Sequence, residues 1–350
     1  MIISGIQQVG IGNPNTPKLW KWYRKAFGVD VPVFDEAAEA PLMIDYTGDK
    51  VRSRHAVLAL NMQGGGGFEI WQFTDRESAK ANFDIKLGDL GINITKVKAK
   101  NIQESYKYYQ DNGIETLGEP KKGPDGKMSF FMEDPYSNIF QVVESDTWFT
   151  KNKHVSGGVL GSVIGVSNID ASVKLYSDVL GYDKVVYDKT GEFEDLKDLK
   201  GGDRTFRRVL LTHSENRVGA FSKLLGPSYM ELIELQDAEA TKIFQDRYWG
   251  DQGFIHLCFD INGMDELKKK CESAGYNFTV DSNNSFEMEN AAGRFAYIED
   301  NDGTLIEFVE THKVPIHKKL GLSIDLTKRK AHKPLPNLLI KGLALARVKD

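Results

Sequence analysis

Cysteine is scarce in this chain of 350 residues: only Cys258 and Cys271 are present. Each falls inside a segment that reads as regular structure, which excludes a loop-rich disulfide framework and makes a reducing compartment the expectation. Long apolar runs are missing too. No stretch approaches the roughly 18 apolar residues that a membrane span needs, and the opening MIISGIQQVGIGNPN lacks a basic start followed by an apolar core. A cytoplasmic protein without a membrane span is expected. Nor does one sign of charge dominate: 45 Lys and Arg stand against 50 Asp and Glu. The imbalance is local, because residues 313–350 carry ten basic and two acidic residues, leaving 35 against 48 elsewhere. The main body therefore gives no electrostatic reason to expect nucleic acid as a partner. What is present is an ordinary hydrophobic share of 41% and a length that makes two domains the default.

Internal repeats organise the chain. Ile6 to Gly28 (IQQVGIGNPNTPKLWKWYRKAFG) and Gly161 to Gly181 (GSVIGVSNIDASVKLYSDVLG) share one order of parts: an alternating strand, a polar turn, and a helix closing on glycine. Tyr23 and Tyr176 each stand five residues before that glycine, on the expected buried face. Ile94 to Gly113 and Ile255 to Gly275 repeat the strand, break and amphipathic helix. Strand-rich sequence follows each helix, ending in Gly67 to Phe73, Ser129 to Val143, Ser228 to Leu235 and Arg294 to Val309. The turns DPYSN (Asp134 to Asn138) and DNDGT (Asp300 to Thr304) fit hairpins.

This βαβββ order, repeated four times over residues 1–312, together with the aromatic helix ending in FG or LG in two repeats and the D-x-D-G-x-x-x-E hairpin in the last, resembles the vicinal oxygen chelate superfamily of glyoxalases, bleomycin resistance proteins and extradiol dioxygenases. The resemblance implies an α+β fold of two half-open barrels, each made from two βαβββ modules, plus a basic C-terminal tail. Consecutive modules are expected to pair: residues 1–150 as one domain, 155–312 as the second with the candidate metal site, and 313–350 as a tail ending in an amphipathic helix, Asn337 to Val348.

In that family a divalent metal is held by side chains from the first and last strands of the paired modules. Alternate residues of a curved strand point inward, so one residue per strand can converge on a common point. Carried over residue by residue, the second half offers Gly161, Glu231, His256 and Glu307. The resemblance thus implies Glu231, His256 and Glu307 as ligands of one divalent ion (Zn, Mn, Fe, Ni or Co), with Glu307 or Glu231 as the catalytic proton shuttle. The first half offers Gln8, Glu69 and Gln141, and the register near Gly91 to Asn93 is open. Without an imidazole, the N-terminal barrel is expected to be vestigial or to hold another ligand. A lone histidine on an alternating strand is ordinarily a packed or hydrogen-bonded residue. Carboxylates at matching repeat positions are what favour ligation for His256.

Tyr297 to Glu307 (YIEDNDGTLIE) also resembles the extradiol dioxygenase signature, with Asn301 where proline is usual and Gly161 where that group has its first histidine. The run Gly64 to Gly67 lacks the Gly-Lys-Ser/Thr ending of a phosphate loop and precedes a strand, so it reads as a hairpin connection. Arg204, Arg207 and Arg208 could grip a carboxylate or phosphate, and Cys258 shares a strand face with His256. The remaining six histidines form no cluster. The leading expectation is a glyoxalase-like metal enzyme, of isomerase or lyase type, acting on a small oxygenated molecule. The alternatives are a non-catalytic small-molecule-binding protein of the same fold and an extradiol-type dioxygenase. A homodimer is left open.

Overall fold

The computed structural model describes residues 1–151, 154–283, 286–288, 291–317 and 322–349. The four repeats appear as four modules. The first is β1 (Ile2–Gly12), α1 (Thr16–Phe27), β2 (Val31–Glu39), β3 (Ser53–Leu60) and β4 (Gly67–Phe73). The second is β5 (Gly91–Ala99), α2 (Ile102–Asp111), β6 (Thr116–Lys122), β7 (Met128–Glu133) and β8 (Ile139–Glu144). The third comprises β9 (Ser156–Gly165), α3 (Ile169–Lys174, continued by a π turn over Leu175–Val179), β10 (Lys184–Gly191), β11 (Phe206–Thr212), the short α4 (Ser222–Leu225) and β12 (Tyr229–Leu235). The fourth has β13 (Gly253–Asn262), α5 (Met264–Ser273), β14 (Val280–Asp281), β15 (Phe286–Met288), β16 (Ala291–Glu299) and β17 (Leu305–His317). Then come β18 (Leu322–Asp325) and α6 (Asn337–Gly342). No helix among the described residues is long and apolar enough to cross a membrane.

Local chemistry explains the helices. Asn15 caps α1 by accepting from the Lys18 amide at 3.0 Å, proline sits in the first turn, and Gly28 ends the helix at φ 61°. The expected inward tyrosines are fully buried. Each is anchored by a turn aspartate: Tyr23 Oη donates to Asp134 at 2.5 Å, and Tyr176 Oη to Asp300 at 3.2 Å.

The strands form two curled sheets, ordered β14-β16-β17-β13-β1-β4-β3-β2, with β15 and β18 added to β16 and β17, and β10-β11-β12-β9-β5-β8-β7-β6. Within each module the first strand pairs parallel with the last. Between modules the first strands pair antiparallel, β1 with β13 and β5 with β9.

This corrects the expected pairing within 1–150 and within 155–312. The first module shares its barrel with the fourth, and the second with the third. Each first strand offers the same kind of free edge, so the repeat alone does not select its partner. The chain is carried across by the segments 74–90 and 236–252, which bond to each other where Leu90 N–H donates to Thr241 and Ile243 N–H to Leu90. The first and second modules, and likewise the third and fourth, touch through the Tyr23–Asp134 and Tyr176–Asp300 anchors rather than through a sheet. The boundary at 313 also moves, because β17 runs through it and β18 pairs with β17. The expected terminal helix is present as α6 and a 3₁₀ turn over Leu343–Ala346.

The glycine run is the expected hairpin connection, between β3 and β4, and it is also a seam between the barrels. Gly66 and Val159 exchange backbone hydrogen bonds of 3.0 and 2.8 Å, and a Cβ on Gly65 would lie 2.7 Å from the Gly158 carbonyl carbon. Helices and the outward residues of both sheets share one core containing Val9, Ile11, Phe68, Ile70, Ile306 and Phe308. With side chains alternating, Gln8, Gly10, Glu69, Trp71 and Glu307 face the other way, into the barrel of modules one and four.

Candidate metal centre

Four polar residues meet inside that barrel, one from each of β1, β4, β13 and β17. Cross-strand register explains why: Gly10 pairs with both His256 and Glu69, while Cys258 pairs with both Gln8 and Glu307. The Gln8 amide nitrogen lies 3.1 Å from Glu69 Oε2 and 3.2 Å from Glu307 Oε2. His256 Nε2 lies 3.3 Å from Glu69 Oε2 and 3.2 Å from Glu307 Oε2. All four residues are buried, and the candidate ligand atoms of Glu69, His256 and Glu307 lie within 4.8 Å of one another.

The imidazole is fixed from three sides. Its ring stacks on Trp249 at 6.3 Å and 15°, meets Tyr297 edge-on at 5.6 Å, and overlies Gly10, where a Cβ would come within 2.3 Å of its Cε1. Gly10 is therefore required by the ring, not by backbone freedom.

Electrostatics follow from two carboxylates sharing one imidazole. Burial alone would lower the His256 pKa, but the charges and hydrogen bonds of Glu307 and Glu69 outweigh it and raise it to about 9. Burial pushes the Glu69 carboxyl up, yet His256, with Arg54 and Gln8, holds it below the ordinary value. Burial and the Glu307 charge push the Cys258 thiol up, and Cys258 is no part of the ligand cluster.

A divalent ion fits this donor set. Metal–nitrogen and metal–oxygen bonds of about 2.0–2.2 Å place neighbouring ligands roughly 3.0–3.5 Å apart, the spacing that His256 keeps from both carboxylates. Neither ring nitrogen of His256 has a well-aligned hydrogen-bond partner, and Gln8 Oε1 has none. A half-turn of the Gln8 amide would bring that oxygen to face the carboxylates. The set of one imidazole, two carboxylates and an amide suits the borderline ions expected from the sequence. Gln8, Glu69 and Glu307 line a cavity of about 740 Å³, with His256 buried behind them, and its walls include Phe34, Met43, Leu58, Trp71, Trp249 and Tyr297.

Of the expected ligands, His256 and Glu307 come together and Glu231 does not. Glu231 lies on β12 in the other barrel, where its carboxylate meets Lys96 Nζ at 2.7 Å, Arg208 Nε at 2.7 Å and the Tyr187 hydroxyl at 2.7 Å. The same correction removes Glu231 as the proton shuttle. Glu69 and Gln8, assigned to a vestigial barrel, complete the site instead. Their residue types were visible in the sequence; what was missing was the partner module. Arg208 is spent on Glu231 and Asp195, Arg207 on Asp188 and Asp170, and Arg204 on Asp237. None of them is left to grip a substrate anion.

Four βαβββ modules in two curled sheets, with polar residues converging inside one of them, define a vicinal oxygen chelate fold. Residues 154–308 match the Glyoxalase/Bleomycin resistance protein/Dioxygenase superfamily, which supports the resemblance to the vicinal oxygen chelate superfamily. Among solved structures it is similar to glyoxalase I from Zea mays (12% identity, TM-score 0.55, covering 87% of this chain and 92% of that one). It is also similar to a putative dioxygenase from Bacillus subtilis (14% identity, TM-score 0.54, covering 88% and 86%). At these identities the likeness is one of fold. Comparison with curated proteins gives no match.

Proposed function

We propose that the barrel of modules one and four is a divalent-metal site that carries glyoxalase-like isomerase or lyase chemistry on an oxygenated small molecule. The observation that carries this reading is that Gln8, Glu69 and Glu307 line a large cavity and meet His256, whose Nε2 lies 3.2–3.3 Å from the two carboxylates. When bound, the ion supplies Lewis acidity toward adjacent oxygens of a substrate. Glu69 and Glu307 approach that point from β4 and β17, so one can stay fixed while the other takes a proton from the carbon beside those oxygens and returns it to the neighbouring carbon. Trp249 and Tyr297 hold the imidazole plane and screen it from water.

Extradiol cleavage is less well supported, because the resemblance implies two histidines and one glutamate, and here Gln8 and Glu69 stand beside a single imidazole. Binding without catalysis is favoured by one observation, the size of the cavity. Metal analysis separates the metal-dependent readings from binding without a metal. Protein purified without chelator should hold about one divalent ion per chain. His256→Ala should lose it, and Glu231→Gln should keep it. Ion-free parent protein that takes up none of the five metals would sink the proposal.

A further inference from the structure

The cavity beside the candidate ligands is walled mostly by apolar side chains, and its few charges do not suit an anion. Arg54 is held by Glu36, with Nη2 3.0 Å from the carboxylate and Nη1 3.2 Å from the backbone carbonyl oxygen. The other lining cation, Lys313, is solvent-exposed. Against these stand Glu36, Glu39, Glu69 and Glu307. The lining is thus net acidic, and a bound divalent ion would only bring it near neutrality. A substrate carboxylate or phosphate buried here would lack a partner, a costly arrangement.

The wall is extended by the C-terminal segment, where Gly342, Leu343, Leu345 and Ala346 all line the space. That segment is tied down by Arg347 Nε at 3.1 Å from Asp30 Oδ2 and by Val348 N–H donating to the Asp30 carbonyl at 2.9 Å. Its apolar side is therefore used to enclose volume over the barrel. A cavity of about 740 Å³ is far larger than a three-carbon dicarbonyl needs and falls in the range that holds ligands of drug size.

We infer that this barrel takes an uncharged molecule with a bulky apolar body, seated between the sheet and the C-terminal segment with its oxygens toward Gln8, Glu69, His256 and Glu307. The orientation rests on the metal reading; the preference for an uncharged apolar body does not. Two dyes with one ring system separate the points: N-phenyl-1-naphthylamine, uncharged, and 1-anilinonaphthalene-8-sulfonate, which adds a fixed negative charge.

Each is titrated by fluorescence into the full chain, as purified and after EDTA treatment. The uncharged dye should bind at one site about tenfold or more tighter than the sulfonate, with or without metal. Leu42→Asp and Leu343→Asp, at two partly exposed positions of the lining, should each weaken the uncharged dye by about threefold or more at unchanged melting temperature. Equal or tighter binding of the sulfonate overturns the inference, as does uncharged-dye affinity that neither substitution changes. If the uncharged dye binds as expected while no ion is held, the metal reading alone fails. If an ion is held but the dye preference is absent, this inference alone fails.

Discussion

The two barrels are built from the same modules in the same register, yet one is closed by its own charges and the other is open. Register aligns them residue for residue: where Gly10 pairs with His256 and Glu69, Val163 pairs with Ile94 and Glu231. Where Cys258 pairs with Gln8 and Glu307, Lys96 pairs with Gly161 and Gln141. In the barrel of modules two and three the Lys96 ammonium bonds Gln141 and lies 2.7 Å from Glu231, so a side-chain cation neutralises the inward carboxylate. Leu196 and Leu199, from the connection between β10 and β11, pack against Ile94, Val163, Phe206 and Ile233 and fill that interior. In the other barrel two carboxylates face one imidazole beneath a cavity. A fold of this kind can thus keep its inward polar positions either as a permanent ion-pair network or as a donor set for a separate cation.

The sharpest way to break the contrast is to remove Glu231. Glu231→Leu leaves the Lys96 ammonium buried with only Gln141 as a charge-stabilising partner, and a loss of about 3–5 kcal/mol is expected from urea unfolding. Adding Lys96→Met should restore part of it, since the unpaired ammonium is removed while Arg208 Nε and the Tyr187 hydroxyl still lack their acceptor. Glu69→Leu in metal-free protein should cost less, because Glu307 still faces His256 at 3.2 Å. Equal losses at the two glutamates would mean that the barrels do not differ in this way.

Acid offers a gentler version of the same test. Burial pushes the Glu231 carboxyl up, but Arg208 and Lys96 outweigh it and lower its pKa from 4.5 to about 2. A depressed carboxylate stabilises the fold above its unfolded pKa, and that contribution is lost as pH falls through the folded value. The window runs from about pH 4.5 down to about 2. A shift of this size corresponds to on the order of 3 kcal/mol. The stability gap between parent and Glu231→Gln should stay level from pH 7 to 5 and then narrow through that window. A gap that is constant down to pH 2.5 would mean that Glu231 gains nothing from its cationic partners.

The modules were legible because each repeats local chemistry: caps at Asn15 and Gly28, turn aspartates at Asp134 and Asp300, and the inward tyrosines. Residue types at the site were legible too, since Gln8, Glu69, His256 and Glu307 all stand at matching strand positions. Their grouping was not. Pairing β1 with β13 rather than with β5 is decided by long-range edge matching and by the crossing segments 74–90 and 236–252, which carry no repeat signal. One wrong pairing moved Glu231 into the site and Glu69 out of it. A local clue to the correct arrangement was available in Gly10, a glycine midway along a strand, which marks a close approach by something from a neighbouring strand.

That clue gives the subtlest test. Gly10→Ala places a methyl where the His256 ring now lies, 2.3 Å from Cε1, so the imidazole must turn away from Glu69 and Glu307 or the strands must part. The neighbouring Trp249 and Tyr297 rings leave it little room to turn. Metal affinity, read by chelator competition, should fall about 10–100-fold, the usual range for disturbing the support of a ligand. The matching change in the other barrel, Val163→Gly, should leave metal affinity untouched and cost about 1–3 kcal/mol through lost packing and backbone entropy. If Gly10→Ala binds metal as the parent does, the imidazole is not the fixed element of the site, and the register match between the barrels loses its functional meaning.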